Sequence, residues 1–193
     1  MTKGIRILAL VTDAFGGYGG IAQYNRDLLQ ACSEADAVDK VIVLPRGGNL
    51  GPGEALPEKI VQKPACFGRA AYSLAALRLA LSEKPFDIIY CGHLYHTPLA
   101  VVLSRLVGGR LWLQTHGIDA WEKPSAIVFR SLDRFDLVTT VSRYTRRRIL
   151  DWSLLAPEKV RVVPNTVRTM FTERFSWSNF TREVDGLMRT LSA

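Results

Sequence analysis

At 193 residues and 48% hydrophobic content, the chain is long enough for one well-buried globular domain and too short for a second full one. Its formal charge of +7 favours anionic partners, whether phosphorylated substrates, nucleic acid or an acidic lipid surface, without choosing among them. Three cysteines, Cys32, Cys66 and Cys91, are too few and too scattered for a disulfide framework or a zinc cluster, and the first apolar run is too short for a signal or a membrane span, so the expectation is a reduced, cytoplasmic protein.

Seven short runs rich in Val, Ile and Leu follow in order: Ile5–Val11, Lys40–Leu44, Lys59–Gln62, Phe86–Cys91, Arg110–Gln114, Leu137–Val141 and Val160–Val163. Most do not alternate apolar with polar residues, as expected of strands buried on both faces of a parallel sheet. Helical segments lie between them. The first follows Phe15-Gly16-Gly17-Tyr18-Gly19-Gly20 and runs through Leu28. Another has Thr97 as its N-cap, Pro98 at its first position and Gly108-Gly109 at its end, and Ser142 caps a helix reaching about Trp152. Pro45 to Pro57 is a loop of glycines and prolines. After Pro164-Asn165 no further strand is predicted, only a polar stretch and a helix from about Trp177 to Leu191. The expected fold is α/β: a Rossmann-like, doubly wound, mainly parallel sheet with helices on both faces. Domain boundaries are expected at 1–167 for this unit and 168–193 for a linker and a helix packing on it.

Chemistry in such a sheet gathers at the carboxyl ends of the strands. The glycine-rich turn after the first strand would let backbone N–H groups approach an anion at a helix N-terminus. It does not have the Gly-x-Gly-x-x-Gly spacing of dinucleotide binders, and the second strand ends Leu44-Pro45-Arg46 without the acidic residue that would hold a ribose. His93, Tyr95 and His96 follow the fourth strand; His116 and Asp119 follow the fifth. A histidine there can bond a sugar hydroxyl or a phosphate, or act as acid or base. His93 and His96 have no Cys or carboxylate beside them to complete a metal set, and no Gly-x-Ser-x-Gly elbow supports a hydrolase. Arg143, Arg146, Arg147 and Arg148 place four cations on about two helical turns. That face is either solvated or in contact with phosphate or acidic lipid.

Five segments stand in the order found in glycosyltransferase family 4: Gly-Gly-Ile-Ala-Gln-Tyr-Asn-Arg-Asp-Leu from Gly19, Phe-Asp-Ile-Ile-Tyr-Cys-Gly-His from Phe86, Thr-His-Gly-Ile-Asp from Thr115, Asp-Leu-Val-Thr-Thr-Val-Ser from Asp136, and Lys-Val-Arg-Val-Val-Pro-Asn from Lys159. Over about residues 5 to 167 the chain resembles the N-terminal domain of that family, one half of a GT-B enzyme. The resemblance implies that Gly19 and Gly20 approach the diphosphate of a nucleotide-sugar donor and that His116 sits by the transferred sugar. His93, Tyr95 and Asp119 would lie on the acceptor side. Asn165 matches a Pro-Asn-Gly hinge in which this chain has Thr166 for the glycine. It further implies transfer with retention of configuration, no metal or other cofactor, a sugar or lipid-linked acceptor and no nucleic acid. Peripheral contact with the inner face of an acidic membrane is a further expectation.

The resemblance breaks beyond the hinge, where the family's donor-binding domain with its basic pair and Glu-x7-Glu motif is missing. Phe175-Ser-Trp-Ser-Asn-Phe instead resembles the family's last helix, which crosses back onto the first domain. The expectation is an acceptor-side half, inactive alone, with the returning helix retained. The alternative is a stand-alone module that binds a phosphorylated or glycan ligand and pairs with a separate catalytic subunit.

Overall fold

The computed structural model describes residues 4–51, 55–165 and 176–192. Seven strands form one parallel sheet in the order β3-β2-β1-β4-β5-β6-β7: β1 (Ile5–Val11), β2 (Val38–Pro45), β3 (Ile60–Gln62), β4 (Ile88–Cys91), β5 (Arg110–Thr115), β6 (Leu137–Thr140) and β7 (Val160–Val162). The helices are α1 (Gly20–Glu34), α2 (Arg69–Glu83), α3 (Thr97–Val107), α4 (Ala126–Ser131), α5 (Arg143–Trp152) and α6 (Trp177–Ser192).

Successive side chains of a strand point to opposite faces, so the unalternating apolar runs feed two cores. Ile7, Ala9, Val41, Val43, Ile88, Tyr90 and Trp112 pack with α1 and α6 on one face. Leu8, Leu10, Ile42, Leu44, Ile89, Leu111 and Leu113 pack with α2, α3 and α5 on the other. From β1 the chain winds outward through α1 to β2, whereas from β4 it winds the opposite way through α3 to β5. The order reverses between β1 and β4, which opens a crevice at their carboxyl ends.

Local signals account for most helix ends. Gly108 and Gly109 terminate α3 with φ of 80° and 91°, and the Ser142 hydroxyl accepts the Thr145 N–H at 3.0 Å to cap α5. At α3 the expected cap moves back by one residue. His96 is the capping position and Thr97 is already helical, because its hydroxyl turns back to donate to the Leu94 carbonyl at 2.8 Å. α1 runs beyond Leu28 to Glu34, since Leu29, Ala31 and Cys32 extend its buried face. The apolar stripe of α6 is buried through Phe180, Val184, Leu187, Met188 and Leu191, and this helix packs against α1. Ser176 starts α6 by accepting from Asn179 N, and Trp177 Nε1 donates to Glu34 on α1. Thr166 and Phe175 lie outside the described residues.

Full burial of a large apolar side chain contributes roughly 1.5 to 3 kcal/mol, whereas the glycine at 186 costs the helix only about 1 kcal/mol relative to alanine. Removing residues 174–193 therefore uncovers an apolar groove on α1. Scanning calorimetry of the shortened chain is expected to show a melting temperature lower by several degrees, or aggregation. An unchanged, monomeric transition would mean that α6 adds nothing to the fold.

Candidate functional site at the crevice between β1 and β4

The turn entering the crevice contains two kinds of glycine. Gly16 has φ of 83°, and a Cβ there would lie 2.1 Å from the Asn49 carbonyl oxygen. A Cβ on Gly17 would lie 1.9 Å from the Asp13 carboxylate, which receives the Ala14 N–H. These two glycines serve the packing of the loop. Gly19 caps α1 with φ of 93° and Gly20 opens the helix. Beyond its chain neighbours and the helix's own backbone, neither would bring a Cβ within 4 Å of a described atom, and Gly20 has no positive φ. The fold therefore does not demand a glycine at Gly20. No side chain caps α1 and no acid stands in its first turn, so its leading N–H groups and positive dipole end face open space.

The loop and helix are tied together by residues that do not stand out in the sequence. Arg26 donates to the carbonyls of Ala14 at 3.0 Å and Gly17 at 2.6 Å. Asn25, wholly buried, donates to the Asp13 carbonyl at 2.8 Å and accepts from Tyr90 on β4 at 3.0 Å. The Tyr24 hydroxyl has one proton and two acceptors within reach, the Val163 carbonyl at 3.0 Å and Gln114 Oε1 at 3.2 Å. The available signal was the placement of Tyr24 and Asn25 one turn before Leu28 and Leu29 on the buried face of an amphipathic helix.

His116 stands at the end of β5. Its Nε2 bonds the Gly92 carbonyl at 2.9 Å, which places the ring proton on Nε2 and leaves Nδ1 as the acceptor. Its ring makes an edge-to-face contact with Tyr24 at 5.3 Å. Burial pushes its pKa down to about 4, with the Gly92 bond opposing. The imidazole is thus neutral at neutral pH and can accept a hydrogen bond without bringing a charge. Asp119 accepts the His116 N–H at 3.0 Å and so shapes the turn below the histidine; burial lifts it to about 6.

Next to Gly92, His93 follows β4, half-buried, with its ring stacked on the exposed ring of Tyr95 at 5.4 Å. Burial, and then the nearby charge of Arg46, lower its pKa. His96 turns inward against Tyr72 and is pushed down to about 4, mainly by burial. The structure thus brings Gly19, Gly20, His93, Tyr95 and His116 to one edge of the sheet and removes His96 from it. Asn165 is exposed beyond β7 and lines a groove of about 620 Å³ with Ser142, Arg143, Asn179 and Arg182.

The arginine run divides. Arg146 is tied to the Val160 and Pro157 carbonyls at 2.7 and 2.8 Å, whereas Arg143 and Arg147 are exposed. Among the described residues no three His, Cys, Asp or Glu side chains gather as metal ligands, and no helix is long and apolar enough to cross a membrane.

The seven-stranded parallel sheet with helices on both faces matches one half of a GT-B protein. Residues 18–171 match Glycosyltransferase Family 4, and the chain belongs to that family. Among solved structures it resembles the lipopolysaccharide outer core galactosyltransferase WaaB in its apo form, with TM-score 0.59 and 15% identity over 84% of this chain and 46% of that one. Anabaena HepE in complex with UDP and glucose also gives TM-score 0.59, at 18% identity over 84% of this chain and 45% of that one. UDP-N-acetylglucosamine 2-epimerase from Rickettsia bellii gives TM-score 0.53 at 12% identity over 97% of this chain and 48% of that one. The chain therefore spans less than half the length of each of these structures. No curated protein matches it.

The buried imidazoles set a pH dependence. His96 and His116 fall to about 4 from 6.5, so the unfolded chain binds protons more readily; their contribution is complete above 6.5 and is lost as pH falls toward 4. Asp119, raised from 3.8 to about 6, acts in the opposite sense and gains stability over nearly the same range as pH falls. With two histidines against one carboxylate, the melting temperature is expected to drop between pH 6.5 and 4, and less steeply in His116→Asn. Equal slopes for the two proteins would contradict the burial assigned to His116.

Proposed function

We propose that this chain is the N-terminal, acceptor-side half of a retaining glycosyltransferase that uses a nucleotide-sugar donor, and that it transfers little or no sugar by itself. The observation that carries this reading is the open approach at Gly19 and Gly20. An uncapped helix start, with no side chain required or present, lies at the crevice one turn from the residue that touches His116.

In this reading the first-turn N–H groups of α1 meet the diphosphate as negative charge develops on the leaving group. His116, neutral and held by Gly92, offers Nδ1 to a hydroxyl of the sugar being transferred. His93 and the exposed Tyr95 ring bound the acceptor side, where an aromatic face suits the apolar face of a sugar or lipid-linked sugar. Asp119 supports that side by fixing the turn that carries His116. Catalysis is then a matter of positioning and charge stabilisation, with no metal or other cofactor. A second Rossmann-like domain beyond the hinge at Asn165 supplies the remaining donor contacts. The HepE structure, which holds UDP and glucose, belongs to a chain of which this one covers 45%, in keeping with a site completed by another half. The enzyme would act in the cytoplasm, at the inner face of the membrane where its acceptor is lipid-linked.

In the enzyme assembled with its second domain, Gly20→Val is expected to leave the melting temperature unchanged and to lower turnover at least about tenfold, equivalent to about 1.4 kcal/mol of transition-state binding. Gly16→Ala, at a positive φ and with its Cβ 2.1 Å from the Asn49 carbonyl oxygen, is expected to lower the melting temperature instead. A folded Gly20→Val enzyme with full turnover would reject the diphosphate assignment.

A further inference from the structure

We propose that Tyr24 is a positioning residue for His116, linking the orientation of that imidazole to the two segments by which the chain leaves and rejoins the sheet, the end of β7 and the first turn of α6. The inference rests on the reading of His116 as the group beside the transferred sugar.

His116 is held by one hydrogen bond, from Nε2 to the Gly92 carbonyl. A ring pinned at one atom can still pivot about it. The edge-to-face contact with Tyr24, 5.3 Å between centroids at 83°, restricts that pivot. Tyr24 is buried at 3% exposure, and burial raises its pKa, so its hydroxyl remains a donor at physiological pH. That hydroxyl bonds the carbonyl of Val163, the residue before Pro164-Asn165, at 3.0 Å. The same Tyr24 ring meets Phe180 of α6 at 6.2 Å and 86°. One side chain thus touches the outgoing segment, the returning helix and the histidine.

Gln114 Oε1, the other acceptor within reach of the single hydroxyl proton, ties the arrangement to the sheet. Gln114 also accepts from Thr139 at 2.5 Å, and Thr139 in turn accepts from Trp112 Nε1 at 2.8 Å. With Gln114 fixed by β6, the Val163 and Phe180 contacts are the ones that a shift of the second domain would change. Such a shift would then reach His116 through Tyr24, which meets the imidazole, the Val163 carbonyl and the Phe180 ring alike.

The test uses the 193-residue chain, with the imidazole C–H resonances of His116 followed by NMR and the melting transition recorded for every variant. Tyr24→Phe keeps the ring and removes the tether; Phe180→Leu removes the ring on α6. Each is expected to shift the His116 signals, and Phe180→Leu is expected to lose its effect when placed on Tyr24→Leu. Leu191→Ala, at the far end of α6, is the control expected to leave them in place. Should Tyr24→Phe fail to fold, the Phe180→Leu arm still decides. His116 signals that stay fixed in folded Tyr24→Phe or Phe180→Leu, or that respond to Phe180→Leu equally without Tyr24, overturn the proposal. In the assembled enzyme Tyr24→Phe is expected to lower kcat about tenfold with the donor KM unchanged. If His116→Ala leaves turnover intact there, the role given to His116 fails while the coupling measured in the chain stands.

Discussion

Asn25 occupies a place where an amide is costly unless every polar atom is bonded. It is fully buried on α1, and it bonds the Asp13 carbonyl of the loop after β1 with one end and the Tyr90 hydroxyl of β4 with the other. Loss of either partner would leave a buried polar group unsatisfied, at about 1 to 3 kcal/mol. The two strands it joins are those between which the sheet reverses direction, so this amide fixes α1 across the crevice. Gly92 is part of the same constraint, because a Cβ there would lie 2.8 Å from Val11 and 3.2 Å from Asn25 Oδ1. With the helix set by Asn25 and the loop set by Arg26, the free start of α1 and the carbonyl that holds His116 have defined places.

The features of the crevice then follow from different physical causes acting at one edge. Parallel strands bring their carboxyl ends together, helix geometry leaves N–H groups unpaired at Gly19 and Gly20, and burial keeps His116 neutral. None of these is costly to the fold at the point of function. The packing demands fall on Gly16 and Gly17, and the polar burial falls on Tyr24, Asn25 and Gln114. In the function proposed, the exposed, uncapped helix start would meet the diphosphate of the donor and the neutral imidazole its uncharged sugar.

Much of the fold was legible because strands buried on both faces have continuous apolar runs, whose shortness and β-branched content set them apart from buried helices. The stripe of α6 was legible for a similar reason, as Trp177, Phe180, Val184, Leu187, Met188 and Leu191 recur at helical spacing and all but the half-buried Trp177 are buried. The glycine turn was legible as a place but not in its parts. What separates Gly16 from Gly20 is a carbonyl supplied by Asn49, over thirty positions away, and no local pattern announces it. Still longer separations hide Tyr24, whose partners Gln114 and Val163 lie on β5 and just past β7. His96 and His93 look alike in sequence, yet the turn after β4 sends one into the core and leaves the other at the edge.

The account depends on donor phosphate meeting the first turn of α1 beside His116. The most direct measurement is an NMR titration of the labelled chain with UDP and with a UDP-sugar at millimolar concentration, weak binding being expected of half a site. The account predicts that backbone amide shifts concentrate at Gly19, Gly20 and Ile21, together with the ring signals of His116. Shifts confined to the groove beside Asn165, or none anywhere at saturating millimolar ligand, would contradict it.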